Sequence, residues 1–185
     1  MLPTDIIKRQ EGLLNLIHIY ESMDRKVIKK NVKNALKRRC IKLTEVCKDL
    51  DMEYNKVKQW IYMGVNNIPT LKDALALAEF YHFSISEIIS LSEKGNLPST
   101  DQSILFHIIS KYNSTDRLLI KKNLKSSLKK LEITPQNIEQ DLNIIIYKVR
   151  WWVCNFKNGI PLLKDALLLC NFYNLNVLDF CKNTL

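Results

Sequence analysis

One spacing constrains this chain more than any other: residues 92 positions apart are alike. Leu50 answers to Leu142, Val57 to Val149 and Trp60 to Trp152, each pair separated by 92 (142 − 50, 149 − 57, 152 − 60). The match runs without a gap from about Leu13–Ser90 onto Leu105–Lys182. It takes in Ile17 with Ile109, Tyr20 with Tyr112, Pro69 with Pro161, and Phe80-Tyr81 with Phe172-Tyr173. The strings IKKN (from Ile28 and Ile120) and LKDAL (from Leu71 and Leu163) coincide. About 30 identities in roughly 80 positions point to tandem duplication. The unit is too long for the usual stacking repeats, so the chain reads as two domains or a pseudo-dimer rather than a solenoid.

Each copy reads as helices. Ile6, Leu13, Leu14, Ile17 and Tyr20 fall at helical spacing behind the candidate caps Thr4 and Asp5, with a counterpart from about Asp101 to Tyr112 behind Thr100. A second helix, about Arg25–Arg39, follows Ser22 and Asp24 and points Val27, Ile28, Val32, Ala35 and Leu36 inward. Two short helices with a tight turn follow in VCKDLDMEYNKVKQWI, from Val46, where Val46, Leu50, Val57 and Trp60 share an apolar side. A loop from Gly64 to Pro69 leads to a helix from Leu71 to Tyr81 and a last short helix ending near Leu91. NIIIY, Asn143 to Tyr147, favours a strand by propensity, but the repeat places a turn and helix there. The expectation is an all-α protein of two domains of about five helices each, residues 1–91 and 102–185. The Gly/Pro/Ser-bearing stretch 92–101 is the linker.

With 46% hydrophobic and 25% charged residues and only 4 Gly and 5 Pro, the composition suits a folded helical protein. No apolar run approaches the roughly 20 residues a membrane span needs, and the start shows no signal peptide. The five cysteines form no C-x-x-C and read as reduced apolar residues of a cytoplasmic protein. The net charge of +9 is clustered: Arg25 to Lys42 holds nine Lys or Arg and no acid, and Arg117 to Lys130 holds six and no acid. A cationic face without carboxylates suits a polyanion better than internal salt bridges. His18, His82 and His107 are scattered, and no phosphate-binding glycine loop or nucleophile elbow occurs. The expectation is therefore no enzyme, no cofactor and no metal.

The first copy offers Ile41, Val46-Cys47, Leu50, Met52, Val57, Trp60, Gly64, Pro69, Leu75, Ala78 and SISEII from Ser84. The second offers Ile133 to Ile138 with Thr134 as cap and Pro135 at a first helical position, then Leu142, Ile144, Val149, Trp152, Gly159, Pro161, Leu167 and Leu168. In this pattern the chain resembles the lambda-repressor/Cro-like, or XRE-like, helix-turn-helix family, over most of each copy apart from its first helix. It departs from the family in Ile61 and Val153, where a Glu is usual, and in Gly64 and Gly159, which do not keep the repeat offset. The usual turn glycine is Asp51 and Asn143 here, both tolerant of a left-handed backbone.

The resemblance implies double-stranded DNA as partner and transcription regulation, most simply repression, as function. The third helix of the first copy would offer Tyr54, Asn55, Lys56, Lys58 and Gln59 to the major groove. Thr44, Lys29, Lys33, Lys37 and Arg38 would contact phosphates, whereas Glu45 would oppose them. In the second copy Gln136, Tyr147, Lys148 and Arg150 would grip DNA, but Ile145, Ile146 and Trp151 form an apolar patch that water disfavours. That patch implies a homodimer or a protein partner at the second domain. The rival reading is thus a protein-interaction or inhibitor module of a mobile element, similar to some anti-CRISPR proteins.

Overall fold

The computed structural model describes residues 3–62, 64–89, 99–154 and 159–183. The described residues form helices and turns and contain no strand. In chain order the helices are α1 (Pro3–Ser22), α2 (Arg25–Arg38), α3 (Leu43–Asp49), α4 (Tyr54–Ile61), α5 (Leu71–Phe80) and α6 (Ser86–Ile89). They continue as α7 (Ser99–Ser114), α8 (Arg117–Lys130), α9 (Pro135–Leu142), α10 (Ile146–Val153) and α11 (Leu163–Phe172), and end on a 3-10 turn, Val177–Cys181. The all-α class holds. The linker residues 92–98 lie outside the described residues, and 99–101 already carry helical backbone.

The chain divides into two compact units, and the division departs from the boundaries 1–91 and 102–185 expected from the repeat. The early unit is Leu16–His107; the late unit is Met1–Asn15 together with Ile108–Leu185. The start of α1 therefore packs within the late unit, and the start of α7 within the early one. Buried glutamines make this specific. In the late unit Gln10, fully buried, accepts from the Val177 N–H at 2.6 Å and donates to the Leu175 carbonyl at 3.0 Å. In the early unit Gln102 (10 + 92) accepts from the Ile85 N–H and donates to the Phe83 carbonyl. Each side chain satisfies both backbone groups of the turn into its unit's last helix, groups that would be costly to bury unpaired.

Within the early unit, α2 buries Ile28, Val32, Ala35 and Leu36 and packs on α4, which buries Val57 and Trp60, and on α6, which buries Ile88 and Ile89. Val27, expected inward, is 39% exposed, because the buried face of α2 is centred one step further round. The late unit repeats this core with Ile120, Leu124, Leu128, Ile138, Val149 and Trp152. Tyr20 and Tyr112 donate to the carbonyls of Pro69 and Pro161, which lie just before α5 and α11. Asp24 and Asp116 cap α2 and α8, and Thr134 with Asn137 caps α9 behind Pro135. Asn31 and Asn123 donate to the carbonyls of Ile88 and Phe180, tying α2 and α8 to the final helical turn of their units.

Candidate nucleic-acid interface

In the early unit α3 and α4 are joined through Asp51, which adopts φ 50°. The late unit turns in the same way at Asn143, φ 52° and ψ 37°. A short polar side chain carries this left-handed conformation at modest cost, so both turns close without glycine. Val57 and Trp60 then fix the inner face of α4. Lys56 leans the other way, its Nζ 3.2 Å from Asp73 and 5.7 Å over the Trp60 ring. Asp73 also caps α5 reciprocally with Thr70, so its carboxylate is held in place. Gln59 is half-buried and accepts from Asn67 through its Oε1. Lys56 stays exposed but paired with Asp73; the exposed residues of α4 without such a partner are Tyr54, Asn55 and Lys58.

Lys29 does not belong with the surface cations. It is 2% exposed, and its ammonium donates to the carbonyls of Gln59 at 2.6 Å and Tyr62 at 2.8 Å. These carbonyls lie at the C-terminal end of α4, where a helix has unpaired acceptors and a partial negative charge. Burial lowers the Lys29 pKa from its ordinary value. Lys29 thus sets the position of α4 rather than meeting a phosphate. Its counterpart Lys121 is equally withdrawn and donates to the Trp151 carbonyl at 3.1 Å.

Further along α2, Lys33, Lys37 and Arg38 are exposed. Arg38 lies 3.7 Å from Glu87, but Arg39 holds that carboxylate more tightly, with two nitrogens at 2.7 and 3.0 Å, while stacking 4.7 Å from the Phe83 ring. The Arg39 hydrogen bonds hold the Glu87 carboxyl below its ordinary range. Thr44 is exposed in the first turn of α3. Glu45, expected to oppose phosphate, instead accepts from the Lys42 N–H at 2.8 Å and closes the start of α3. Lys33, Lys37, Thr44 and Tyr54 line one open groove of about 740 Å³ between α2, α3 and α4, so these helices present them on a common face.

The late unit keeps this frame and changes its outer surface. Lys148 pairs with Asp165 at 2.8 Å and sits 5.7 Å over Trp152, as Lys56 does with Asp73 and Trp60. Gln136 and Arg150 are exposed. The rest of the face is apolar: Ile145 is 68%, Tyr147 69% and Trp151 53% exposed. Ile146, expected on the same patch, is half-buried. Its N–H donates to the Glu139 Oε1 at 3.1 Å, so a carboxylate sits on the first turn of α10. The first copy has Cys47 at that position (139 − 92).

The buried roles of Lys29, Lys121, Asn31 and Asn123 escape a reading of the sequence by periodicity. Their signal is the IKKN string kept unchanged in both copies, beside a basic run that otherwise drifts. Among the described residues no group of three or more His, Cys, Asp or Glu could hold a metal ion. No helix among them is long and apolar enough to cross a membrane. No family model, no curated protein and no solved structure matches the chain.

Proposed function

We propose that this protein is a sequence-specific double-stranded DNA-binding regulator of transcription, a repressor, whose early unit reads bases through α4. The carrying observation is the exposed row Tyr54, Asn55 and Lys58 on a helix whose opposite face is anchored by Val57, Trp60 and the Lys56–Asp73 pair. An α-helix fits the major groove; Asn matches the donor–acceptor pair of adenine, and Lys the acceptors of guanine. Lys33, Lys37, Arg38 and Thr44 supply backbone contacts, which give affinity and salt dependence rather than sequence choice. A net charge of +9 supports the same partner. The helix-turn-helix resemblance and the recurrence of Tyr20–Pro69, Lys56–Asp73 and Asp51 contacts 92 positions later support two copies of one module.

The late unit favours a second reading for itself. Exposed Tyr147, Arg150 and Trp151 are the residue types that dominate protein interfaces, and the Glu139 carboxylate on α10 repels a phosphate backbone. In this reading it docks a protein, another copy of the chain or a target, as an interaction module would.

The test is selection from a random duplex pool, followed by titration of the enriched sequences against salt. An enriched motif whose affinity falls steeply with salt is expected. No binding at low salt would refute the DNA reading. Replacing Ile145 and Trp151 by serine is expected to leave affinity for that motif unchanged; a large loss would refute the division between the units.

A further inference from the structure

We propose that the groove between α2, α3 and α4 of the early unit is a docking site for an acidic amphipathic peptide helix, and that its occupation releases DNA. The second clause rests on the DNA reading above. Its apolar lining is the buried Leu36 and the half-buried Ile41, Leu43 and Ile61, and the exposed Lys33, Lys37, Lys42 and Tyr54 line it as well. Among the described residues no acidic one lines it. Among the described residues no carboxylate is paired with any of the three lysines.

This combination selects the occupant. Duplex DNA can use the three cations but has little apolar surface for the apolar lining. A helix with leucine at positions i, i+3, i+4 and i+7 and carboxylates on its flanks satisfies both, as in helix-in-groove recognition. The groove is an open trough of about 740 Å³, walled by three helices, so a helix can lie along it. Lys33, Lys37 and Tyr54 belong to the proposed DNA face as well, so peptide and duplex exclude each other. The second copy keeps Lys125 and Lys129 at the positions of Lys33 and Lys37 (33 + 92, 37 + 92), but Thr134 stands for Lys42 and the carboxylate Glu132 for Cys40 (42 + 92, 40 + 92). One peptide per chain is therefore expected.

The probe is a fluorescein-labelled peptide of about 16 residues with that leucine spacing and glutamate flanks, beside a scramble of the same composition. It is titrated into the full chain by anisotropy, with and without an enriched duplex. The expected result is saturable one-to-one binding, weaker by on the order of tenfold or more for Leu43→Ser and for Lys42→Glu, and displacement of duplex. Lys42 is exposed, so its variant tests the site without threatening the fold. Absence of saturable binding, equal binding of the scramble, two peptides per chain, or saturable binding of dodecanoate in place of the peptide would each overturn the proposal. Duplex affinity is measured separately for wild type. Peptide binding without any duplex binding supports the groove and removes the DNA reading; duplex binding without peptide binding overturns the groove alone.

Discussion

Replacing Gln10 by alanine is the perturbation that most sharply separates this fold from a chain of two sequential domains. Gln10 is fully buried and bridges the Val177 N–H and the Leu175 carbonyl, 167 and 165 residues away. Truncation leaves both groups without their partner. A buried group so orphaned costs about 1–3 kcal/mol, and the half-buried Leu175 carbonyl recovers part of this from water, giving about 2–4 kcal/mol. That is roughly 30- to 1000-fold in the opening equilibrium of the surrounding structure. Native-state hydrogen exchange reads it directly. In Gln10→Ala the Val177 amide and its neighbours in the late unit exchange faster by that factor, and the Ile85 amide is unchanged. Gln102→Ala gives the mirror result, with Ile85 losing protection and Val177 keeping it. Loss of protection in Gln10→Ala confined to residues between Leu16 and His107, or no loss at Val177, would refute the assignment of the α1 start to the late unit.

Three further outcomes rest on neighbouring side chains. Lys29→Met removes the donor to two α4 carbonyls and is expected to lower early-unit stability by about 1–3 kcal/mol in urea unfolding, while the salt slope of DNA binding stays as in wild type. The triple variant Lys33→Ala/Lys37→Ala/Arg38→Ala is expected to do the opposite, keeping stability and lowering the log-log salt slope by about 0.9 for each phosphate left without its cation. Glu87 titrates below its ordinary value because of Arg39, so its contribution to folding is present above the ordinary carboxylate pKa of about 4.3 and is lost as pH falls through the lowered folded value. Glu87→Gln removes this dependence, and the urea midpoint of the early unit then falls less steeply between about pH 5 and pH 3.

Much of the architecture is legible in the sequence because it depends on local chemistry. Asp24 and Thr134 announce helix starts through side chains that accept from the first free N–H groups, and both do so. Asp51 and Asn143 suit left-handed turns by residue type, and both have positive φ. The repeat also places a helix over Ile146–Val153 against the strand preference of NIIIY. Partner choice is not legible. The apolar face of α1 shows that Leu13 and Leu14 are buried, not which unit buries them, and Gln10 reads as a surface residue until its two backbone partners are known. Lys29 stands in line with Lys33 and Lys37 at four-residue steps, so periodicity alone gives it their role. The carbonyls of Gln59 and Tyr62 that withdraw it come from a helix 30 residues away (59 − 29). On α4 the five polar residues look equivalent in sequence, yet Lys56 and Gln59 are engaged by Asp73 and Asn67, which leaves Tyr54, Asn55 and Lys58.

In the proposed function, α4 of the early unit chooses the DNA sequence. This is tested most directly by repeating the duplex selection with two double variants, Asn55→Ala/Lys58→Ala on α4 and Tyr147→Ala/Arg150→Ala on α10. The first is expected to lose base preference at specific positions of the motif while retaining salt-dependent binding to duplex, and the second to enrich the wild-type motif. An unchanged motif from the α4 variant, or a motif lost only in the α10 variant, would contradict this role of α4.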